Sequence, residues 1–287
     1  MSDSAPIVVL GASGNVGSAL TAQLADAGEA VRALYQLAPG DVSTLPHGVE
    51  EIHGSFDDVD LVRRAMTGAR AVFMLTPPSP SQPAWNRTIV NAARDAGVAR
   101  VVKLSAFDSG VDSSLFMGRW HADGEAVLAE SGIDHVILRP QYFMQMMPRM
   151  LNAGARTGVM RGAADVSVRM GFVDVRDIAA VAAMALTRGE YDGRILVPTG
   201  PTAPSYGEIA HAVAAVSRRD VRYEKRPTHD IRTEFTARGW PEWHIADYLK
   251  IHSTAASELV TDDVLEVTGR APRSVFDLID ELSRDWA

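Results

Sequence analysis

Residues 11–17 of this chain read Gly-Ala-Ser-Gly-Asn-Val-Gly, between an apolar run at 7–10 and a helical pattern of Val16, Leu20 and Leu24. In a strand–turn–helix context the first glycine permits a tight turn, and the second lets the backbone approach a pyrophosphate. The third glycine allows the helix to pack closely on the strand, and the helix N-terminus faces the phosphate charge. The segment therefore predicts a dinucleotide site. Its predicted cofactor-binding residues are Gly11, Ser13, Gly14, Asn15, Val16 and Gly17.

Short β-rich runs alternate with helical patterns over the first two-thirds of the chain. This alternation predicts an α/β fold with a Rossmann-type, doubly wound and mostly parallel sheet. Right-handed crossovers would place the glycine-rich segment at the carboxyl edge of the sheet, where the strand order reverses. The predicted strands are 7–10, 31–35, 49–53, 71–75, 101–105, 135–139 and 194–197, with glycine caps at Gly28 and Gly97 and a helix over 114–131 that ends at Gly132.

The pattern changes after Pro140. Residues 141–161 are rich in methionine, a helix is predicted to start at 174–177, and 205–208 fits a capping box. We predict a dinucleotide-binding core over 1–140. Residues 141–287 are predicted to return strands and helices to that core and to form a smaller C-terminal substrate lobe, all within one structural unit.

Composition excludes several classes of function. The 287 residues carry a formal net charge of −8, which repels nucleic-acid phosphates. The absence of cysteine removes disulfides, thiolate nucleophiles and zinc–thiolate sites. No segment approaches the roughly 20 continuous apolar residues of a membrane helix, and the N-terminus lacks the pattern of a signal peptide. We expect a cytoplasmic protein with neither a nucleic-acid nor a membrane partner; the oligomeric state is not predicted.

The end of the second strand selects the cofactor in dinucleotide folds. An acid there would bond the ribose hydroxyls, and an arginine would accommodate a 2′-phosphate. Here the stretch 31–36 holds no acid, which argues mildly against a dedicated NAD site. Arg32 is the nearby cation and is interpreted equally as a phosphate ligand or as a surface strand residue. Tyr35 and Gln36 are predicted to line the adenosine pocket by stacking and neutral hydrogen bonds.

The chain resembles the NmrA-like branch of the atypical short-chain dehydrogenase/reductases over nearly its whole length. The resemblance rests on motifs at 11–17, 75–78 (Leu-Thr-Pro-Pro), 102–105 (Val-Lys-Leu-Ser), 121–125 (His-Ala-Asp-Gly-Glu) followed by 131–132 (Ser-Gly), 138–140 (Leu-Arg-Pro), 142–145 (Tyr-Phe-Met-Gln) and 172–177 (Phe-Val-Asp-Val-Arg-Asp). It implies an NADP-dependent oxidoreductase, with NAD as the alternative.

Family members commonly carry arginine where this chain has Gln36 and an acid where it has Ser55, so this chain departs from the pattern at both positions. The resemblance also implies that cofactor is contacted by Ser55, Phe56, Thr76, Pro77 and Pro140. For Thr76 and Pro77 a plain strand terminator is the alternative interpretation, because a proline pair ends a strand with or without a ligand.

The usual acid of short-chain reductases is absent. No tyrosine occurs over 105–125, and lysine occurs only at 103, 225 and 250, so there is no Tyr-x-x-x-Lys in the right region. Three catalytic candidates remain. Ser105 either meets the substrate or bonds to backbone. His121 either donates a proton, since histidine titrates near neutrality, or is structural. Tyr142 either bonds a substrate oxygen or forms an aromatic wall.

Glu125 lies one helical turn from His121 and is interpreted as its orienting partner. No third ligand accompanies this pair, so no metal site is predicted. An apolar pocket for a flat substrate is predicted from six side chains, with ordinary core packing as the alternative for the methionines. They are Phe107, Trp120, Tyr142, Phe143, Met144 and Met147.

The leading functional hypothesis is a reductase that transfers a hydride from NAD(P)H to a quinone, ketone or imine. Some members of the family tailor aromatic natural products. The preferred substrate class is therefore a small aromatic, polycyclic or quinonoid molecule, such as a polyketide. Two alternatives stay open. One is an NmrA-like redox-sensing regulator that binds dinucleotide without turnover. The other is a non-redox tailoring enzyme on the same scaffold.

Overall fold

A computed structural model describes residues 5–35, 46–253 and 257–286. The chain divides into two compact units. The sheet unit comprises Met1–Asp112, Met117–Pro140 and Val175–Val197, and the second unit comprises Ser113–Phe116, Gln141–Asp174 and Pro198–Ala287. Among the described residues, no helix has both the length and the apolar character needed to cross a membrane.

The described elements are listed here in chain order. The strands are β1 (Ile7–Leu10), β2 (Val31–Tyr35), β3 (Glu50–His53), β4 (Ala71–Met74), β5 (Arg100–Leu104), β6 (Asp134–Leu138), β7 (Tyr142–Phe143), β8 (Val159–Gly162), β9 (Phe172–Val173), β10 (Ile195–Leu196) and β11 (Arg222–Lys225). The helices are α1 (Asn15–Asp26), α2 (Val59–Met66), α3 (Gln82–Asp95), α4 (Phe116–Glu130), α5 (Pro148–Thr157), α6 (Val175–Thr187), α7 (Tyr206–Ser217), α8 (Thr228–Ala237), α9 (Glu242–Ile251), α10 (Asp263–Thr268) and α11 (Val275–Ser283).

Seven of the described strands form the parallel sheet of the sheet unit. Their order is β10-β6-β5-β4-β1-β2-β3, and all pairings are parallel. The chain leaves β1 first toward β2 and later toward β4, so the strand order reverses between β1 and β4. The predicted Rossmann-type fold is confirmed. Although α6 and β10 follow Pro140 in sequence, both belong to the sheet unit.

Burial on both faces explains why the strand sequences are almost wholly apolar. Every residue of β1 and β4 is buried, as expected for parallel strands covered by helices on both sides. Helix α1 packs against α6, and α2 packs against α3. Where the predicted strand limits differ from the observed ones, they differ by one residue. Helix α4 runs from Phe116 to Glu130 and is thus shorter than the predicted range of 114–131.

Glycines end the helices that precede β2, β5 and β6. Gly28, Gly97 and Gly132 have φ of +79°, +71° and +76°. Because an L side chain rarely adopts this conformation, these positions act as the predicted caps.

The second unit has a methionine-rich core. Met144, Met147 and Met160 lie in one buried cluster with Phe172 and Tyr206. Two short parallel pairs, β7 with β9 and β8 with β11, accompany this cluster. Helix α7 starts with the predicted capping box, in which Glu208 N donates to Ser205 Oγ at 3.1 Å and Ser205 N donates to Glu208 Oε2 at 2.7 Å.

Candidate functional site

The glycine-rich turn joins β1 to α1 through backbone contacts that side chains would block. Gly11 has φ of +69°, and Gly14 N donates to its carbonyl oxygen at 2.9 Å. A Cβ at Gly17 would lie 2.1 Å from the same oxygen. The third glycine is therefore required by the close approach of helix and strand, as predicted.

The turn fits a pyrophosphate. The first N–H groups of α1 have no partner within the helix, and the helix dipole adds positive charge at this end. Ser13 and Asn15 are exposed, whereas the side chain of Val16 is buried. Any contact from Val16 would thus come from its backbone. The loop after β4 lies beside the turn, because a Cβ on Gly11 would be 3.0 Å from Leu75 Cγ.

Tyr35 lies inside the sheet unit. Its ring is fully buried and stacks on His53, with centroids 5.5 Å apart and planes at 25°. Burial and then the charge of Glu51 raise the pKa of the Tyr35 hydroxyl to about 12. This placement contradicts the expectation that the ring would stack on adenosine, because both its faces are enclosed. Gln36, the other predicted residue, lies outside the described residues.

Arg32 is engaged away from the carboxyl edge of the sheet. Its Nε donates to Glu50 Oε2 at 2.7 Å, and Nη1 donates to the carbonyl oxygens of Ala65 and Thr67 at 2.8 Å each. Those carbonyls belong to the C-terminal end of α2, which lies at the amino edge of a parallel sheet. The hypothesis that Arg32 holds a 2′-phosphate is therefore wrong, and its role is to bind the end of α2.

The loop after β3 contains an acid that sequence analysis missed. Ser55 Oγ donates to Asp57 Oδ2 at 3.0 Å, and Trp85 Nε1 donates to Asp57 Oδ1 at 2.7 Å. Asp57 thus supplies a carboxylate two residues beyond the position where family members carry one. The side chain of Phe56 is buried and packs on Trp85 at 5.9 Å. Phe56 can therefore serve a cofactor only through its backbone.

Thr76 is part of a buried polar cluster at the end of β4. Gln82 Nε2 donates to its hydroxyl at 3.0 Å, and that hydroxyl donates to Asn86 Oδ1 at 3.3 Å. These bonds tie the loop to α3, which supports the strand-terminator interpretation. Pro77 is half-buried and Pro140 is buried, and their predicted contacts with cofactor remain predictions.

Ser105, Glu125 and Arg139 form one connected group. Arg139 donates to Glu125 through Nε at 3.1 Å and through Nη2 at 2.5 Å, and the Ser105 hydroxyl also donates to this carboxylate. Burial pushes the pKa of Glu125 up, but the bonds from Arg139 and Ser105 hold it below its ordinary value. Glu125 therefore pairs with Arg139 and not with His121, which corrects the predicted pairing.

His121 contacts Lys103, a residue that sequence analysis did not propose. The two nitrogens, Lys103 Nζ and His121 Nδ1, lie 3.3 Å apart, and Nζ also donates to Leu104 O at 3.3 Å. Burial and then the charge of Lys103 lower the pKa of His121 well below 6.5. The imidazole is therefore neutral at neutral pH. Since an ammonium can only donate, Nδ1 accepts and the ring proton is on Nε2.

Lys103 is fully enclosed. Burial lowers its pKa to about 8, against the opposing charges of Glu125 and Asp123. Space for it exists because α4 has a glycine at 124. A Cβ there would lie 2.9 Å from Lys103 Cε and 2.3 Å from Asn86 Nδ2. A buried amine with a lowered pKa in a polar cluster is a candidate functional group.

The second unit holds only some of the predicted substrate residues in one place. Tyr142 and Met147 line one pocket of this unit. Met144 is 1% exposed and lies in the apolar core, as the alternative interpretation has it. Phe143 is half-buried. Trp120 and Phe107, both half-buried, belong to the sheet unit, and their contact with substrate stays a prediction.

Comparison with known proteins agrees with this geometry. Residues 11–188 match the family described as NAD(P)H-binding. The chain is 30% identical over 275 residues to an NAD(P)H azoreductase of Xenophilus azovorans, covering 93% of this chain and 94% of the relative. It is 33% identical over 288 residues to a (4-alkanoyl-5-oxo-2,5-dihydrofuran-3-yl)methyl phosphate reductase of Streptomyces griseus subsp. griseus, covering 98% and 96%. An NADPH-dependent quinone oxidoreductase of Escherichia coli, solved with NADPH, has a TM-score of 0.84 at 21% identity, covering 96% of this chain and 99% of that chain.

A parallel sheet with a glycine turn where the strand order reverses defines a dinucleotide-binding α/β protein. The chain belongs to the NAD(P)H-binding family, in its NmrA-like atypical short-chain dehydrogenase/reductase branch. The predicted family, the NAD(P) cofactor and the oxidoreductase class are confirmed.

Proposed function

We propose that this protein reduces a quinone, ketone or imine group of a small aromatic molecule with NAD(P)H, preferring NADPH. The glycine turn at the point of strand reversal carries the proposal, because its backbone fits a dinucleotide and it lies within the residues that match the NAD(P)H-binding family. The names of the two sequence relatives, both reductases, support an electron acceptor of small size.

The cofactor would be held by backbone groups more than by charged side chains. The amides at the start of α1 would receive the pyrophosphate. Asp57, fixed by Trp85 and Ser55, offers a carboxylate near the loop after β3. Since Arg32 is bound to the end of α2, the preference for NADPH rests on the family and on the lack of an acid at the end of β2. When bound, NAD(P)H supplies the hydride.

The proton is proposed to come from a neutral His121. Its Nε2–H is the donor, and the ammonium of Lys103 supports Nδ1 at 3.3 Å. When Nε2 gives its proton to the reduced acceptor, Nδ1 takes one from Lys103. The relay resets when Nε2 takes a proton from water and Nδ1 returns its proton to the Lys103 amine. Such a relay removes the need for an imidazolium, which burial disfavours. Ser105 has its own proton bound to Glu125, so it is proposed to accept a hydrogen bond from the substrate side.

Acceptors differ in how much they need this proton. A quinone or iminium is already electrophilic, whereas a ketone needs an acid as the alkoxide forms. The phenol of Tyr142, whose pKa is raised by burial, stays protonated and can donate to a substrate oxygen in the second unit.

Absorbance of the reduced nicotinamide tests the proposal. The purified protein is mixed with NADPH or NADH and with quinones, azo dyes and hydroxylated aromatic ketones. We expect acceptor-dependent oxidation, faster with NADPH. Cofactor binding without oxidation across the panel would contradict the proposal and would favour a dinucleotide-binding sensor.

A matched pair of variants tests the proton source. His121→Ala is expected to lower ketone turnover by about tenfold or more and to change quinone turnover little, because general acid catalysis contributes at least that much. His229→Ala, at an exposed histidine of α8, is the control and should match the wild type. Equal losses for quinone and ketone in His121→Ala would show a structural defect instead.

A further inference from the structure

The pocket of the second unit has aromatic and thioether walls. Its lining includes Tyr142, Met147, Tyr206, Tyr248 and His252. The His252 ring lies 4.5 Å from Tyr248 and meets Tyr142 edge-on at 5.1 Å between centroids. Aromatic rings and methionines make favourable contacts with a flat, polarisable molecule.

One polar atom in this lining has no partner. His252 is 5% exposed, and its Nδ1 lies 3.0 Å from the hydroxyl of Tyr206. Its other ring nitrogen, Nε2, is buried without a hydrogen bond to any described residue. Buried polar groups are rarely left unpaired, and each exception calls for a partner that binds there.

The Tyr206 hydroxyl sets the tautomer of His252. Burial, followed by the neighbouring Tyr142 and Tyr223, raises the pKa of Tyr206 well above 10, so the phenol keeps its proton. Burial lowers the pKa of His252 to about 4, so the imidazole is neutral. A phenol donating to Nδ1 leaves the ring hydrogen on Nε2. The unpartnered nitrogen is thus a donor and calls for an acceptor atom.

We propose that this pocket binds an aromatic carbonyl compound, with Nε2–H of His252 donating to its carbonyl oxygen. This inference rests on the proposed function. It narrows the proposed substrates from quinones, ketones and imines to aryl ketones and quinones. Tyr206 is a positioning residue, because it acts on the ligand only through the tautomer of His252.

Calorimetric binding without nicotinamide separates this inference from the proposed function. Menadione is the carbonyl-bearing probe, and methylnaphthalene is its counterpart without oxygen. We expect the wild type to bind menadione roughly tenfold more tightly, as one hydrogen bond to a buried donor allows. His252→Phe keeps an aromatic ring without a donor and should abolish this preference. His252→Gln keeps an N–H and should retain part of it.

Two further variants guard against a folding defect. Tyr206→Phe removes the group that sets the tautomer, so the preference for menadione should fall several-fold while methylnaphthalene binds as before. His211→Phe, at an exposed position on α7, should leave both affinities unchanged. Thermal unfolding of each variant identifies any that does not fold.

The outcomes decide between the two proposals. An equal preference for menadione in wild type and His252→Phe overturns the assignment of the pocket, and so does an absence of menadione binding. If NADPH oxidation by menadione then still occurs, the proposed function survives that failure. Binding that depends on His252 without any turnover supports the pocket and contradicts the proposed function.

Discussion

Replacing Lys103 with methionine is expected to stabilise the folded protein and to lower its turnover of ketones. The ammonium of Lys103 is fully buried and contacts a carbonyl oxygen and an imidazole. Burial lowers its pKa from 10.5 to about 8, despite the opposing charges of Glu125 and Asp123. At 1.36 kcal/mol for each pKa unit, the charged lysine lowers the free energy of unfolding by about 3 kcal/mol near neutral pH.

The pH dependence follows from the same difference. The unfolded chain binds this proton more tightly than the folded chain, so stability rises with pH between about 8 and 10.5. Lys103→Met removes that rise. It also leaves Nδ1 of His121 without a donor, at a cost of about 1–2 kcal/mol. The net expectation is a gain of about 1–2 kcal/mol near neutral pH, the difference between these two effects.

Urea unfolding at several pH values, with ketone turnover measured beside it, tests this reasoning. Ketone turnover should fall by about tenfold or more, because the proton behind His121 is lost. Lys225→Met is the matched control. Lys225 is 46% exposed and pairs with Asp165 at 2.8 Å, so its loss should change stability by less than about 1 kcal/mol.

Two results would refute parts of this account. The first is a Lys103→Met protein that is less stable than the wild type and keeps the same dependence of the free energy of unfolding on pH. That result would mean that burial of the Lys103 charge does not destabilise the folded protein. Unchanged ketone turnover in a stabilised variant would leave the electrostatic argument standing and would exclude the relay through His121.

Three other substitutions test separate features. Gly17→Ala should abolish NADPH binding, because its Cβ would lie 2.1 Å from a backbone oxygen of the turn; Gly110→Ala, with open space around it, should titrate like the wild type by nicotinamide fluorescence. Arg32→Ala should lower the free energy of unfolding by about 1–2 kcal/mol and leave the ratio of NADPH to NADH affinity unchanged. Glu125→Gln should lower the free energy of unfolding by about 1–3 kcal/mol, since it removes the charge that pairs with Arg139. Because the folded-state pKa of Glu125 is lowered, this stability is present at neutral pH and is lost as pH falls through that pKa, so wild type and variant should converge in acid unfolding curves.

The sequence predicted the sheet well because a parallel strand covered on both faces must be apolar throughout. β1 and β4 show this pattern as uninterrupted runs, and the glycine caps mark where the helices end. The short strands of the second unit were not predicted. β7 and β9 are two residues long each, which is too short for a period of two to be recognised.

The candidate site was predictable only where backbone conformation demands a particular residue. Gly17 has that property, since no other residue fits against Gly11. Side-chain partners lack it. His121 and Lys103 are 18 residues apart in sequence, and their contact depends on how α4 packs on β5. For Arg32 the sequence suggested a contact with a 2′-phosphate, but the structure shows its guanidinium bound to the end of α2.

Lys103 in the sheet unit and His252 in the second unit are both exceptions to the rule that titratable side chains are seldom fully buried. Each is a buried titratable side chain, and each has a pKa lowered by burial. Selection for stability alone would favour apolar residues at both positions, because burying a polar or charged side chain costs free energy. Departures from local consistency concentrate at functional sites. Each is thus expected to have a function in its own unit: Lys103 supplies a proton to His121, and His252 donates to a carbonyl oxygen.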